Sequence, residues 1–307
     1  MPKIFVVGSF IMDNVAEMER FPKAGETVVG NSLHIYPGGK GINQCVAAAR
    51  LSGDVAMAGM LGKDANGDVF RKLMRDEHID ADNVFACDLP TGLAQVQTDK
   101  TGQNRICIIP SANYAFDYDC LDKIDAVLRR CETVMLQLEM RLDVTEEIIR
   151  RAHLYGAKVL LNLAPAVPLK DEILRLVDII TPNETEVMIL ANGDEHSCTD
   201  EKTAARKLID KGVGCVVVTL GDRGALIVNR DGEEEIPGFK VKAVDTVAAG
   251  DSFNGALAVA LSEGKSLHEA VLFGNAMGAL TVQKKGAIPS LHTRAELEEF
   301  LRSGARR

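Results

Sequence analysis

The hydrophobic positions of the chain follow two patterns. Short continuous apolar runs, typical of buried strands, are separated by longer segments in which apolar residues recur at helical spacing. The predicted strands are 4–7, 55–61, 134–138, 159–163, a strand reached through 174–180, and 215–220. The predicted helices are 41–51, 65–78, 144–155, 184–190, 203–211, 250–263 and 267–282, and a further helix closes the chain. This alternation predicts an α/β fold with a mostly parallel central sheet, helices on both faces, and ligands beyond the carboxyl ends of the strands.

Two segments interrupt the alternation, near 9–40 and 92–110. Residues 27–36 read as exposed strands, and 92–110 reads as a hairpin whose turn contains Asp99 and Gly102. We interpret the two segments as a small β lid on a single domain that spans 1–307.

Composition excludes several classes of partner. The chain has 307 residues, of which 46% are hydrophobic and 26% charged, as in soluble globular proteins. A net charge of −9 argues against a nucleic acid or an anionic membrane as partner, because both favour a basic face. No apolar run approaches the length of a membrane span, and the first apolar stretch is too short for a signal peptide. We therefore expect a cytoplasmic protein.

The cysteines support a reducing compartment. Their number is odd, and none forms a Cys-x-x-Cys pair. We expect them to be small hydrophobic residues rather than disulfide partners or zinc ligands. They are Cys45, Cys87, Cys107, Cys120, Cys131, Cys198 and Cys215.

The segment 243–255 carries the clearest chemical signal. The common fingerprints are absent: there is no phosphate-binding Gly-x4-Gly-Lys-Ser/Thr loop, no Gly-x-Gly-x-x-Gly after the first strand, no His-Glu-x-x-His and no Gly-x-Ser-x-Gly. Instead, the small residues Ala248, Ala249 and Gly250 lead directly into a predicted helix. Three backbone N–H groups at such a helix start have no intrahelical acceptor, so they can form an anion hole for phosphate oxygens.

Asp251 follows that anion hole in the first helical turn. A carboxylate there can orient a hydroxyl aligned on the phosphate and accept its proton as the new bond forms. The alternative is that Asp251 only caps the helix. The preceding Ala-Ala-Gly, with Asp245 and Thr246 before it, favours the catalytic interpretation.

A second glycine-rich segment opens the helix near residue 41. Gly38, Gly39 and Gly41 surround Lys40, and glycine lets a ligand approach the backbone closely. Lys40 and Asn43 are suitable donors for sugar hydroxyls. The alternative is a tight turn followed by an ordinary helix start.

These two segments resemble the two signatures of the ribokinase-like sugar kinases, the PfkB family. The first is similar to the family's Gly-Gly-Lys-Gly-x-Asn substrate loop, and the second to its Asp-Thr-x-Ala-Ala-Gly-Asp anion hole. Further matches follow in order along almost the whole chain: 25–27, 137–139, 162–166, 181–186, 219–224 and 285–290. The resemblance implies a ribokinase-like three-layer sandwich with a β lid, and ATP-dependent phosphorylation of D-ribose at its 5-hydroxyl.

The resemblance also implies roles for individual residues. With Asp251 as the base, the residues that would contact the sugar are Ile11, Asp13, Gly38, Gly39, Lys40, Gly41, Asn43 and Glu139. The residues that would hold the nucleotide are Thr219, Gly221, Gly224, Gly250 and Asn275. Asn183 and Glu186 match an Asn-x-x-Glu motif that places Mg²⁺ and phosphate, and their spacing of one helical turn lets both face one site. The alternative for Glu184 and Glu186 is a solvated acidic helix.

Ribokinase-like enzymes also bind a monovalent cation, usually K⁺, beside the anion hole. A cation there would fix the loop that bears the hole and so act by preorganisation. The matching positions, most of which would act through backbone carbonyls, are Asp245, Val247, Thr281, Lys284, Gly286 and Ser290.

The chain departs from the family pattern at Ile11, where an asparagine is usual. That asparagine is expected to bond a sugar hydroxyl near C2, and isoleucine has no group that forms hydrogen bonds. A buried hydroxyl without a partner costs about 1–3 kcal/mol. Since deoxyribokinases of the family carry an apolar residue here, 2-deoxy-D-ribose is the alternative to D-ribose. A water molecule filling the gap would keep ribose as the substrate.

Other functions are weighed against this one. A sugar-phosphate kinase should offer more basic groups at the sugar loop than Lys40 and Arg105. A nucleoside kinase should offer a slot for the base, which Phe10, Ile11 and Met12 could form; fructose is a further candidate substrate. A non-catalytic sugar sensor is disfavoured because Asp251 and the small residues before it are present.

The edges of the lid strands predict a homodimer that pairs through the lids.

Overall fold

The computed structural model describes residues 2–52, 54–192 and 200–303; Cys198 lies outside them. Most of the strands form one sheet in the order β13-β12-β11-β10-β9-β8-β1-β4-β5. Neighbours from β11 to β5 run parallel, and β12 and β13 are added antiparallel at one edge. The bounds are β1 (Ile4–Val7), β4 (Val55–Gly62), β5 (Asp80–Cys87), β8 (Thr133–Leu136), β9 (Lys158–Leu161), β10 (Ile179–Ile180), β11 (Cys215–Thr219), β12 (Gly224–Asn229) and β13 (Glu233–Pro237).

The remaining strands form a second sheet of order β3-β2-β6-β7. Its strands are β2 (Ile11–Met18), β3 (Ser32–Gly38), β6 (Gly92–Asp99) and β7 (Asn104–Ile109). β2 pairs antiparallel with β3 and parallel with β6, so segments separated by some eighty residues of chain close into one sheet. β6 and β7 form the hairpin that the turn at Asp99 predicts. We call this second sheet the lid.

Helices cover both faces of the central sheet. They are α1 (Lys40–Ser52), α2 (Ala65–Asp76), α3 (Tyr118–Leu128), α4 (Leu142–Tyr155), α5 (Asp171–Leu174), α6 (Glu184–Asn192), α7 (Glu201–Lys211), α8 (Ala249–Ser262), α9 (Leu267–Thr281) and α10 (Arg294–Arg302). All four residues of β1 are buried. Phe5 and Val7 pack into an apolar cluster with α3 and α4, whereas Ile4 and Val6 pack into another with α1, α8 and α9. The strand is apolar at every position because it separates two cores, which gives the three-layer sandwich that the sequence predicts.

Several predicted bounds require correction. The helix predicted over 65–78 ends at Asp76, since His78 has a left-handed φ of 55° that no helix continues. The strand predicted over 27–36 begins only at Ser32, and 174–180 divides between α5 and β10. β5 was missed because it is a half-exposed edge strand with polar residues at several positions, and α3 was also missed.

The topology decides where polar groups gather. Ser9, Glu139, Asn162 and Asn183 all follow the carboxyl ends of neighbouring parallel strands, and α1 and α8 begin beside them. This edge of the central sheet faces the lid.

Candidate active site

Asp251 lies in the first turn of α8 with only 7% of its surface exposed. The Nδ2 group of Asn43 donates to its Oδ2 at 2.9 Å, and the Nε2 group of Gln44 donates to its Oδ1 at 3.0 Å. Both donors lie on α1, so the start of one helix fixes the carboxylate at the start of another. Each oxygen retains a lone pair for a ligand.

The start of α8 differs in one detail from the prediction. Ala248 caps the helix in a left-handed conformation, with φ of 60°, and has no side chain that could bond the first amides. The N–H of Ala249 already donates to the carbonyl of Thr246 at 3.3 Å. The open amides at this helix start are therefore those of Gly250 and Asp251, which is two rather than the three that the sequence predicts.

A cluster of charged groups borders Asp251 on the lid side. Glu139 accepts a hydrogen bond from the Ser9 hydroxyl at 2.5 Å and another from the Lys40 amide at 2.8 Å. Burial raises the pKa of Glu139 although Lys40 and Ser9 oppose the rise. Burial, with the charges of Glu139 and Asp251, raises the pKa of Asp13 to about 7. Burial alone would lower the pKa of Lys40, but the carboxylates of Asp251, Glu139 and Glu186 outweigh it and raise that pKa.

The glycines of the α1 entry leave no space for a side chain. A Cβ on Gly38 would lie 2.5 Å from Asp13 Oδ2, and one on Gly41 would lie 2.3 Å from the Ser9 amide nitrogen. Gly39 has φ of +99°, which other residues rarely adopt. The run of glycines therefore reflects close contact between α1 and the loop after β1.

A cavity of about 700 Å³, the lid cavity, separates the lid from the central sheet. Ile11 and Asp13 line it from β2, and His34 and Tyr36 line it from β3, where their rings stack with centroids 5.9 Å apart. Phe10 and Met12 are buried in the core, so these three residues do not together form a slot for a nucleoside base, and only Ile11 of the three reaches the cavity.

A second cavity of about 490 Å³, the edge cavity, lies beyond β11 and β12. It is lined by all five residues that the resemblance assigns to the nucleotide, which are Thr219, Gly221, Gly224, Gly250 and Asn275. Asn275 also donates its amide to the carbonyls of Ile236 and Pro237, at 3.1 and 3.4 Å, which ties α9 to β13. The sequence reasoning did not identify the apolar part of the lining, formed by Phe239, Val241, Phe253, Ala279 and Val282.

A smaller cavity of about 200 Å³, the junction cavity, lies between these two and includes Lys40, Gly250 and Asp251. Asn183 and Glu186 line this cavity and also cap α6 reciprocally. The backbone N–H of Asn183 donates to Glu186 Oε2, and the backbone N–H of Glu186 donates to Asn183 Oδ1, both at 2.8 Å. Burial raises the pKa of Glu186. Glu184 instead pairs with Arg223 at 2.5 Å, away from the site.

The residues predicted to hold a monovalent cation lie on two adjoining loops. Asp245 joins them, since its carboxylate accepts the amide of Val247 at 3.1 Å and that of Gly286 at 2.9 Å. The side chains of Thr281 and Ser290 turn to the carbonyls of Met277 and Ala287, and Lys284 lies 3.6 Å from Glu296. The side chains of Thr281, Lys284 and Ser290 thus already have partners. Among the predicted residues, the groups suitable for K⁺ are therefore the backbone carbonyls and the carboxylate of Asp245. Oxygen donors of this kind fit a hard cation.

A buried network of side-chain amides lies behind Asp251, and the sequence motifs assign it no role. Gln44 bonds Gln137 and Asn162, and Asn162 donates to the carbonyl of Thr181 at 2.8 Å. The Thr181 hydroxyl donates to Asn254, which in turn bonds the carbonyl of Gly250 at 2.8 Å. Each residue follows a strand end or lies on α1 or α8, and that position is the signal that could have identified it.

Comparison with known proteins assigns the family. The sequence profile of the pfkB family carbohydrate kinases matches residues 1–294. The chain therefore belongs to this family.

Among the residues that the structure describes, no helix is long and apolar enough to cross a membrane.

Individual members of the family that are similar to this chain indicate the type of kinase. A ribokinase of Haemophilus influenzae is 41% identical over 300 residues, covering 96% of this chain and 97% of its own. A deoxyribokinase of Salmonella typhi is 34% identical over 303 residues, with 97% and 98% covered. The ribokinase structure of Thermotoga maritima superposes with a TM-score of 0.92 at 39% identity, covering 98% and 100%. That of Arabidopsis thaliana, solved with ribose and ATP, has a TM-score of 0.91 at 33% identity, covering 98% of both chains. The protein is thus an ATP-dependent sugar kinase with the predicted ribokinase-like fold.

Proposed function

We propose that this kinase transfers the γ-phosphoryl group of ATP to the 5-hydroxyl of D-ribose, with Asp251 as the base. The observation that carries the proposal is the place of Asp251. It borders both the lid cavity and the junction cavity, and it lies beside the two amides that open α8. A hydroxyl aligned there would lose its proton to Asp251 as the phosphorus–oxygen bond forms and the bond to the departing ADP breaks.

The lid cavity would bind the sugar. Asp13 and Glu139 offer acceptors to its hydroxyls, and Lys40 offers a donor. Asn43 Oδ1 is buried without a hydrogen-bond partner, so a sugar hydroxyl that donates to it would remove an unpaired acceptor. Gly38, Gly39 and Gly41 would allow the ring to lie against the backbone.

The edge cavity would bind ATP and direct its phosphates toward the junction cavity. The amides of Gly250 and Asp251 would hold the γ-phosphoryl oxygens, because the positive end of α8 and the absence of bulk at Ala248 and Ala249 favour an anion there. Their stabilisation would increase as charge develops on those oxygens in the transition state.

Two cations are part of the proposal. Asn183 and Glu186 carry oxygens of the kind that Mg²⁺ prefers, and no cluster of three acidic, histidine or cysteine ligands exists in the described residues. Such a site would leave most coordination to phosphates and water. When bound, Mg²⁺ would neutralise phosphate charge. K⁺ would bind Asp245 and the carbonyls of Val247, Thr281, Lys284, Gly286 and Ser290, and would hold the loop before the anion hole.

A second substrate, 2-deoxy-D-ribose, is favoured by Ile11. This side chain is 2% exposed and lines the lid cavity next to Asp13. It would leave a 2-hydroxyl unpaired but would pack against a C2 methylene. A sugar phosphate is disfavoured, although Lys285 adds one basic residue to the lining, because Arg105 stacks on Phe21 at 4.3 Å rather than lining the cavity.

The test is ATP turnover with D-ribose and 2-deoxy-D-ribose, with Mg²⁺ and K⁺ present, for the wild type and Ile11→Asn. For a ribokinase we expect a higher kcat/KM for ribose in the wild type. For a deoxyribokinase we expect the reverse, with I11N shifting the preference toward ribose about 10- to 100-fold. Turnover of neither sugar would contradict both and leave a nucleoside or fructose as the candidate.

We also propose that the chain forms one domain and that two copies pair through their lids. Leu33 and Ile35 are 61% and 57% exposed on the face of β3 that points away from the lid cavity, whereas Ile106 and Ile108, 57% and 44% exposed on β7, lie on the opposite face and line that cavity. Exposed apolar residues on both faces of the lid favour a partner sheet. A monomer by light scattering at assay concentration would contradict the dimer.

A further inference from the structure

We infer that Gln44 and Gln137 form an amide relay that positions the carboxylate of Asp251. The inference rests on the proposed role of Asp251 as base and adds two positioning residues to it. Neither glutamine is a catalytic residue, since each would act through the carboxylate.

Every polar atom of the Gln44 side chain has a partner. Its Nε2 group donates to Asp251 Oδ1 at 3.0 Å and to Asn162 Oδ1 at 3.2 Å, and its Oε1 accepts from Gln137 Nε2 at 2.7 Å. Gln44 is 0% exposed and Gln137 2% exposed, so water does not compete for these groups. A buried amide with all of these bonds satisfied has one orientation.

The acceptors around Gln44 decide which orientation that is. If the Gln44 amide were reversed, its oxygen would face two acceptors, Asp251 Oδ1 and Asn162 Oδ1. Asn162 cannot reverse to compensate, because its own amide nitrogen donates to the carbonyl of Thr181. Gln137, placed directly after β8, donates to Gln44 Oε1 and so holds the Gln44 side chain in place, although its own Oε1 has no hydrogen-bond partner and does not set the direction of the Gln44 amide.

The base needs this donor because of its surroundings. Acidic groups face Asp251 from three sides: Asp13 on β2, Glu139 after β8 and Glu186 on α6, and Lys40 at the start of α1 is the cation among them. The hydrogen bonds donated by Asn43 and Gln44 fix both oxygens of the Asp251 carboxylate among these groups without adding charge.

The test is the kcat and the KM values for sugar and ATP of Gln44→Met and Gln137→Met, with Gln103→Met, on the exposed turn of the lid, as control. We expect Q44M to lower kcat about 10- to 100-fold while both KM values stay within about twofold of those of the wild type. We expect Q137M to lower kcat by a smaller factor, again with unchanged KM values. Q103M should match the wild type.

Two results separate this inference from the proposed function. Turnover by Asp251→Asn at the wild-type rate would contradict the base itself. An inactive D251N together with a folded Q44M whose kcat equals that of the wild type would overturn the relay alone. A loss of kcat accompanied by a similar rise in both KM values would also overturn it, since that is the effect of a merely structural residue. Should Q44M fail to fold, the kcat and KM values of Q137M decide the question by the same criteria.

Discussion

Asp13→Asn is expected to stabilise the ligand-free protein at neutral and alkaline pH. Burial and the charges of Glu139 and Asp251 raise the pKa of Asp13 from 3.8 to about 7. Between these values the folded protein retains a proton that the unfolded chain has lost. Stability therefore falls as pH rises through that window, and the cost is fully present above pH 7. Asparagine does not titrate, so D13N avoids the loss.

The size of the effect follows from the pKa. A rise from 3.8 to about 7 corresponds to about 4 kcal/mol of unfolding free energy. Because water reaches part of the side chain and screens its charge, we expect about 2–3 kcal/mol. For a chain of this length that is a gain in Tm of about 3–5 °C. Near pH 4 the two proteins should differ little.

The assay is thermal unfolding without sugar or nucleotide, from about pH 4 to pH 8, for the wild type, D13N and the exposed control Asp82→Asn. Curves of D13N and wild type that run parallel over this range would refute the reasoning. D13N should nevertheless lose sugar affinity, because the carboxyl group that destabilises the empty protein is the one proposed to accept sugar hydroxyls.

Two further predictions concern packing around the site. Gly38→Ala should raise the KM for the pentose about tenfold or more and leave the KM for ATP unchanged, since the added methyl group would lie 2.5 Å from Asp13 Oδ2. The control is Gly30→Ala, whose methyl group would have no contact closer than 3.4 Å. Equal pentose KM values for the two variants would contradict the steric argument. Arg50→Met should lower the unfolding free energy by about 2–4 kcal/mol, because Arg50 pairs with Glu77 and donates to the carbonyls of Ile288 and Leu291 at 3.1 and 2.5 Å. The control Lys72→Met removes an exposed ion pair with Asp76 and should lower the unfolding free energy by less than about 1 kcal/mol. Both unfolding free energies are measured by denaturant titration. Equal losses of unfolding free energy for the two variants would show that the Arg50 contacts add nothing.

Much of this protein can be predicted from local sequence. The alternation of apolar runs and helical periods predicts the parallel sheet, because both patterns depend only on which faces of an element are buried. The small residues before Asp251 predict an open helix start for the same local reason. The resemblance to a kinase family is confirmed over almost the whole chain.

Other features required the tertiary structure because they depend on residues far apart in the chain. Gln44 and Asp251 are 207 positions apart, and only the packing of α1 against α8 makes them neighbours. Asp13 resembles any other aspartate in the sequence until the fold buries it between Glu139 and Asp251 and raises its pKa. Phe10 and Met12 flank Ile11 at the start of β2, and the packing of the lid against the core decides that only Ile11 of the three reaches the cavity. Sequence determines the kinds of groups and their local geometry, whereas burial and long-range contact determine what those groups do, since desolvation and hydrogen-bond partners come from the whole fold.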